Sequence, residues 1–422
     1  MLNFSRLFGS RNISSKANTV SYIKRCFGSS SSMIRNDDFS TLSDSDIDTF
    51  KTILKSENTV IQDPEELSVY NTDWMKKYIG DSKIVLKPKT TQEVSDILKY
   101  CNQRRLAIVP QGGNTGLVGG SVPIFDEIIL SLSRMNQIKH FDQNYSIVHT
   151  QAGVVLEKLA EYLQDYGHMP PIDLGAKGSC HIGGNLATNA GGIKLIKYNS
   201  MHANCIGIEA VLADGTIIND MKGLRKDNTG YDLKQLFIGS EGTLGIITEC
   251  AILWPRLPTN SSIALILLEN FEKVTEVLPK AKQYLGESLT AIEFFDHFSD
   301  KLRAEMIGTT NPIESSEKDN VYMLIECSSF DEPSKDMNEE KLMSFIETLD
   351  DTVLDGVIAQ DGNQNSQIWK LREELPVAYI EKGLCLKYDF SIGIQNFNQL
   401  IINSRERVGG LGTAGGYGHV GK

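Results

Sequence analysis

The sequence predicts an α+β fold of two successive domains, on three observations. Strand-like apolar runs alternate with amphipathic helical segments along most of the chain, Pro255 and Pro258 interrupt that alternation, and three long glycine-rich stretches beside apolar runs all fall before the interruption. At 422 residues, 41% of them apolar, the chain has room for two separate cores.

Residues 37–77 read as a short helical lead-in, and residues 78–257 as the first domain. In it, residues 84–86 form a strand, and Thr90-x-x-Glu93 has the spacing of a capping box opening a helix with Val94, Ile97, Leu98 and Cys101 inward. Strands follow at 106–109, 128–132 and 147–152, and Leu156, Leu159, Ala160 and Leu163 make the apolar stripe of another helix. Asp214-Gly215 is a hairpin turn pair between strands 206–212 and 216–219, and strand 246–253 closes the domain. The second domain, 258–422, alternates again: strand 263–268, helix 272–285, strands 289–295 and 321–327, helix 335–349, strand 353–359, helix 367–381, strand 384–390 and a last helix at 397–407. Residues 308–320 are polar and read as a loop.

The first 36 residues differ in chemistry from the rest. They carry six basic side chains (Arg6, Arg11, Lys16, Lys24, Arg25, Arg35), no acidic ones and a serine run at 29–32, with Phe4, Leu7 and Phe8 on one helical face. This is the pattern of a cationic amphipathic mitochondrial transit peptide. Without those six, 36 basic residues face 54 acidic ones, a net charge near −18 that disfavours nucleic acid and anionic lipid as partners. The longest apolar runs, 263–268 and 128–132, fall far short of the roughly 20 residues a bilayer span requires. Seven scattered cysteines with no Cys-x-x-Cys pair argue against a disulfide scaffold or a thiolate zinc site.

The glycine-rich stretches carry the strongest chemical signal. Pro110-Gln-Gly-Gly-Asn-Thr-Gly-Leu-Val-Gly-Gly120 follows an apolar strand; its glycines let successive backbone N–H groups converge on phosphate oxygens, and Asn114 and Thr115 add side-chain donors. It lacks the Lys-Ser/Thr ending of a P-loop and the spacing of a dinucleotide fingerprint, so NAD is disfavoured. Gly410-x-Gly412-x-x-Gly415 has that fingerprint's spacing, but too few residues follow it to build the required helix, and it reads as a turn. Residues 173–192 (Asp-Leu-Gly-Ala-Lys-Gly-Ser…His-Ile-Gly-Gly-Asn-Leu-Ala-Thr-Asn-Ala-Gly-Gly) and 239–247 (Gly-Ser-Glu-Gly-Thr-Leu-Gly-Ile-Ile) complete the set. Three such stretches in one domain suit a long ligand with a pyrophosphate and an aromatic head group.

These stretches, with Arg225-Lys-Asp-Asn-Thr-Gly-Tyr-Asp-Leu-Lys234, closely resemble the FAD-binding domain of vanillyl-alcohol-oxidase-type (PCMH-type) flavoproteins, and among those the D-2-hydroxyglutarate dehydrogenase branch. The resemblance runs from about Tyr78 to the end of the chain. It implies an FAD-binding domain of two α/β subdomains followed by a ferredoxin-like α+β substrate (cap) domain. It also implies non-covalent FAD, its pyrophosphate wrapped by Gly112, Gly113, Asn114, Thr115 and Gly116, with Asp173, Gly178 and Ser179 along the flavin and ribityl region, Glu241, Gly242 and Ile247 bordering the other side, and Gly183, Gly184 and Asn189 among the cofactor-binding residues. The implied reaction is oxidation of D-2-hydroxyglutarate to 2-oxoglutarate in the mitochondrial matrix, with electrons passed to an electron-transfer flavoprotein; a homodimer is left open.

On the substrate side, Arg372 in Ile368-Trp-Lys-Leu-Arg-Glu-Glu-Leu-Pro376 lies on a helix that Pro376 should kink, and a guanidinium suits bidentate carboxylate binding. Lys387 alternates with apolar residues at 384–390. By resemblance, both bind the substrate's carboxylates. His419 in Gly416-Tyr-Gly-His-Val-Gly421 matches the first histidine of a Gly-His-x-Gly-Asp-Gly-Asn-x-His motif that in the family helps hold a divalent metal, most often zinc. Lys422 stands where that motif has aspartate, and the motif's second histidine is not in this sequence, so the expectation is a truncated cap domain whose metal site depends on residues beyond it. A D-lactate dehydrogenase of the same family, and a catalytically inactive FAD-binding protein, are the alternatives.

Overall fold

The computed structural model describes residues 34–56, 58–330 and 335–421. The expected transit peptide therefore lies almost wholly outside the described residues. Arg35, its last cation, pairs with Asp126 at 2.6 Å and donates to the carbonyls of Phe39 and Ser40.

Three sheets organise the described residues. The first has strands β1 (Val60–Ile61), β2 (Val85–Leu86), β3 (Ile108–Gln111) and β4 (Ile128–Ser131) in the order β1-β2-β4-β3, with β2, β4 and β3 parallel. The helix Thr91–Arg104 forms as its sequence predicts: Thr90 accepts from the Glu93 N–H, the Glu93 carboxylate reaches back to the Thr90 N–H, and Val94, Ile97, Leu98 and Cys101 are buried. The second sheet is antiparallel, with β5 (Ile138–Asp142), β6 (Ile147–Gln151), β7 (Cys205–Val211), β8 (Ile217–Asn219) and β9 (Ile246–Leu253) ordered β5-β6-β9-β7-β8. One apolar core serves both sheets and the helices Thr91–Arg104 and Leu156–Gln164.

The third sheet begins after the proline pair. Strands β10 (Asn260–Leu268), β11 (Leu289–Asp296), β12 (Val321–Ser329) and β13 (Val353–Ile358) take the order β13-β10-β12-β11, and helices Phe271–Leu285 and Lys335–Glu347 cross between strands, which is the ferredoxin-like βαββαβ arrangement. Those helices cover one face, where Ile266, Val274, Met323, Ile325 and Phe345 are buried. The other face packs on the helix Gly362–Glu373 through Leu265, Phe295, Leu324, Ile368 and Leu371.

Two expectations are corrected, and two elements appear that none covered. The helix read over 367–381 is two helices, Gly362–Glu373 and Leu375–Lys382, with Pro376 in the first turn of the second, where its missing N–H costs nothing. Residues 384–390 pair with no strand; their alternation leaves Leu384, Leu386, Tyr388 and Phe390 exposed instead of packing a sheet face. A short strand β14 (Tyr417–His419), absent from the sequence reading, pairs antiparallel with β11. An unforeseen helix, His297–Ile307, starts where Asp296 accepts from the Ser299 N–H.

Candidate active site

The three glycine-rich stretches, far apart in sequence, are sutured together by backbone. A Cβ on Gly113 would lie 2.0 Å from the Ser179 carbonyl oxygen, so the first stretch approaches the second as only glycine allows. Gly112 faces His181 and Gly184 at ordinary contact distance. The third stretch is tied to the second by Gly239 N–H to Leu186 O (3.0 Å) and Glu241 N–H to Ala187 O (2.9 Å), and Gly242, at φ +80°, lies on the Pro110 ring. Trp74 donates from its indole to the Gly116 carbonyl (3.2 Å), closing the far end of the first stretch.

Within this cradle the expected cofactor residues divide into two groups. Gly112, Gly116, Gly178, Ser179 and Gly184 lie half-buried or exposed along it, and a Cβ on Gly116 or Gly184 would meet nothing within 4 Å. Thr115 is half-buried between Asn114 and Gly116, and Asp173 lies 3.8 Å from Lys177. Others serve the architecture. Asn114 (φ 53°) donates from its amide to the Thr72 carbonyl (2.8 Å) and accepts from Ser121 (2.8 Å). Asn189 (φ 48°) accepts from the His202 N–H, Gly183 packs on Ala152, and the Ile247 side chain is in the core. Glu241 (φ 50°) is exposed and points its carboxylate towards Gly120.

The cradle also contains a group the sequence reading missed. His181 is buried against Gly112, its Nδ1 has no hydrogen-bond partner among the described residues, and burial lowers its pKa. An orphaned buried nitrogen beside a glycine-lined groove is what a bound phosphate- and ring-bearing cofactor would satisfy, so these residues fit FAD.

The substrate-side candidates converge on the third sheet, and their common partner is another residue the sequence reading missed. Glu293, in the middle of β11, is fully buried. Its Oε2 accepts from Arg372 Nε at 2.8 Å, and its Oε1 is hydrogen-bonded to His419 Nδ1. The register places His419 directly opposite Glu293 across the β11–β14 pair, and Arg372 comes from the helix packed on the same face. The Arg372 guanidinium lies over the Tyr417 ring, 4.6 Å from its centroid. With Nε taken by Glu293, the Nη1 and Nη2 donors have no partner among the described residues.

Lys387 is half-buried in the segment that follows. Burial lowers its pKa, the nearby Arg372 charge lowers it further, and Asp389 opposes the shift. In the same segment, burial raises the pKa of Cys385, and the charges of Lys77 and Lys387 oppose the shift. Beside Arg372, Glu373 has a raised pKa from burial and from repulsion by Asp173. The Asp173 charge in the second glycine stretch therefore bears on the end of the arginine helix. Two further ties hold the cap sheet to the first domain: Lys194 to Glu326 at 3.6 Å and Lys197 to Ser328 at 3.3 Å.

The metal expectation finds no support. Among the described residues no group of three His, Cys, Asp or Glu side chains could hold an ion, and His419 is engaged with Glu293. The Gly410–Gly415 run begins as an exposed turn and packs only at its end, where a Cβ on Gly415 would strike the Tyr379 hydroxyl and Gly416 donates to Asp296 at 2.6 Å.

Comparison with known proteins shows the family. Residues 82–220 match the FAD binding domain family and residues 257–422 the C-terminal domain of FAD linked oxidases. The mitochondrial D-2-hydroxyglutarate dehydrogenase of Arabidopsis thaliana is 48% identical over 402 residues, covering 94% of this chain and 71% of that protein. A mitochondrial Schizosaccharomyces pombe protein named as a D-lactate dehydrogenase is 42% identical over 90% of this chain and 73% of its own length. In fold the chain is similar to p-cresol methylhydroxylase, with a TM-score of 0.63 at 16% identity over 82% of this chain and 70% of that one. The chain is thus an FAD-dependent oxidoreductase of the PCMH type, a mitochondrial hydroxy-acid dehydrogenase by its relatives. It belongs to the D-2-hydroxyglutarate dehydrogenase family.

Proposed function

We propose that this chain oxidises D-2-hydroxyglutarate to 2-oxoglutarate in the mitochondrial matrix, between the glycine cradle and the Glu293-centred cluster. The observation that carries the proposal is a pair of cations on the cap: Arg372, fixed at 2.8 Å by the buried Glu293, and the half-buried Lys387, near enough to feel its charge. A dicarboxylate offers each a partner.

Bound in the glycine cradle, FAD would supply the acceptor for the hydride from the substrate's C2. The protein's own residues do the rest. The Nη1 and Nη2 groups of Arg372 take the C1 carboxylate end-on, since Glu293 occupies Nε. Lys387 takes the distal carboxylate, which regains part of the charge stabilisation that burial denies the lysine. Glu293 holds His419 by Nδ1, leaving Nε2 as the nitrogen available to the C2 hydroxyl and its departing proton. No step is assigned to a metal, for which the described residues offer no complete site. We assign the reoxidation of the flavin to an electron-transfer flavoprotein.

D-lactate is the competing substrate, and it lacks the distal carboxylate. Steady-state turnover of the two with an artificial electron acceptor decides between them. The proposal requires kcat/KM for D-2-hydroxyglutarate to exceed that for D-lactate by about 10-fold or more, because lactate leaves the buried lysine unmatched. Equal values would reassign Lys387 and make this a general D-2-hydroxy-acid dehydrogenase.

A further inference from the structure

We propose that Glu293 is the positioning residue through which the 2-hydroxy-carboxylate head of the substrate is read. One buried carboxylate aims Arg372 at the substrate carboxylate and His419 at the neighbouring hydroxyl. The inference rests on the proposed function above and names a residue that touches neither substrate nor flavin.

The fold leaves little freedom in this arrangement. Phe294, the neighbour of Glu293 on β11, packs on the helix-covered face of the sheet, so Glu293 projects to the opposite face beside Phe295 and Leu324. It meets His419 as its cross-strand partner, from 126 residues away in sequence, and Arg372 from a helix 79 residues away. Tyr417, two residues before His419 on the same strand, places its ring under the guanidinium. The guanidinium is therefore fixed at one edge and one face, and among the described residues its Nη pair is left for a ligand.

Chemistry explains why a single acid suits the task. In a 2-hydroxy acid the carboxylate and the hydroxyl are on adjacent carbons, so their recognition groups must stand side by side at a fixed offset. Anchoring both groups to the two oxygens of one immobile carboxylate supplies that offset. Glu293 also offsets the Arg372 charge, so that a second cation, Lys387, can be packed nearby without two unopposed positive charges.

The test is a double-mutant cycle on the full chain with E293Q, R372Q and the double variant. FAD content and thermal midpoint are recorded first, then 2-oxoglutarate affinity by perturbation of the flavin spectrum, then kcat and KM for D-2-hydroxyglutarate. E293Q is expected to retain FAD and bind 2-oxoglutarate at least about 10-fold more weakly, while the double variant binds no worse than R372Q alone. Its kcat should fall as well, since His419 loses its anchor. Wild-type affinity in E293Q, or losses that multiply in the double variant, would overturn the inference. If E293Q does not retain FAD, E293D carries the cycle: it should weaken binding when Arg372 is present and have no effect in R372Q, and an equal effect in both backgrounds overturns it. A wild-type chain that neither binds 2-oxoglutarate nor oxidises D-2-hydroxyglutarate would instead remove the proposed function, and this inference with it.

Discussion

Between Pro110 and Gly242 the site is made of backbone, whereas around Glu293 it is made of long side chains. The glycine cradle excludes side chains where segments cross, as at Gly113 on Ser179, and spends its asparagines on holding turns. The Glu293 cluster does the reverse, taking Arg372, His419 and Tyr417 from distant segments and fixing each by charge, hydrogen bond or ring contact. A cofactor that never leaves can be gripped by rigid main chain. A substrate that must be told from its near neighbours is read by charged groups whose directions are set by a second layer of residues.

The largest expected effect tests the backbone half. In G113A the added methyl meets main chain, which cannot swing aside, so the purified protein should lose nearly all its flavin absorbance. Next comes the side-chain half: R372Q leaves Glu293 buried without its cation, which should cost about 3–5 kcal/mol of stability in chemical denaturation, besides most of kcat/KM. K387M should separate the substrates, lowering kcat/KM for D-2-hydroxyglutarate by about 10- to 100-fold while leaving D-lactate nearly unchanged. The pH dependence is subtler. The lowered pKa of Lys387 means that its charge is lost at a lower pH than an ordinary lysine's, so KM for D-2-hydroxyglutarate should rise on the alkaline side. Stability has the opposite sign there, because a group whose folded pKa is depressed opposes folding less as pH rises; K387M should flatten both trends. Smallest of all is G116A, whose methyl meets nothing, so the apoprotein should unfold within about 0.5 kcal/mol of wild type even though FAD affinity drops.

The same contrast decides how much was legible in the sequence. The glycine stretches announce themselves locally, because glycine density beside an apolar run has few other uses, and the capping box at Thr90 predicted its helix for a local reason too. Arg372, Lys387 and His419 were found by resemblance, but Glu293 was not: within Ala-Ile-Glu-Phe-Phe it reads as an ordinary polar position on a strand. Its importance is created by pairings 79 and 126 residues long, which no local pattern carries. His181 escaped notice similarly, since only the fold shows that its nitrogen is buried without a partner. The false strand at 384–390 had true alternation but no sheet edge to join, and β14 was too short to announce itself.

The most direct test of the account is anaerobic addition of D-2-hydroxyglutarate to the purified flavoprotein while the absorption band of oxidised flavin is followed. The account predicts rapid bleaching, much slower or absent with D-lactate at the same concentration. Flavin that is retained but stays oxidised with D-2-hydroxyglutarate would show that the cradle and the Glu293 cluster do not together make a working site for this substrate.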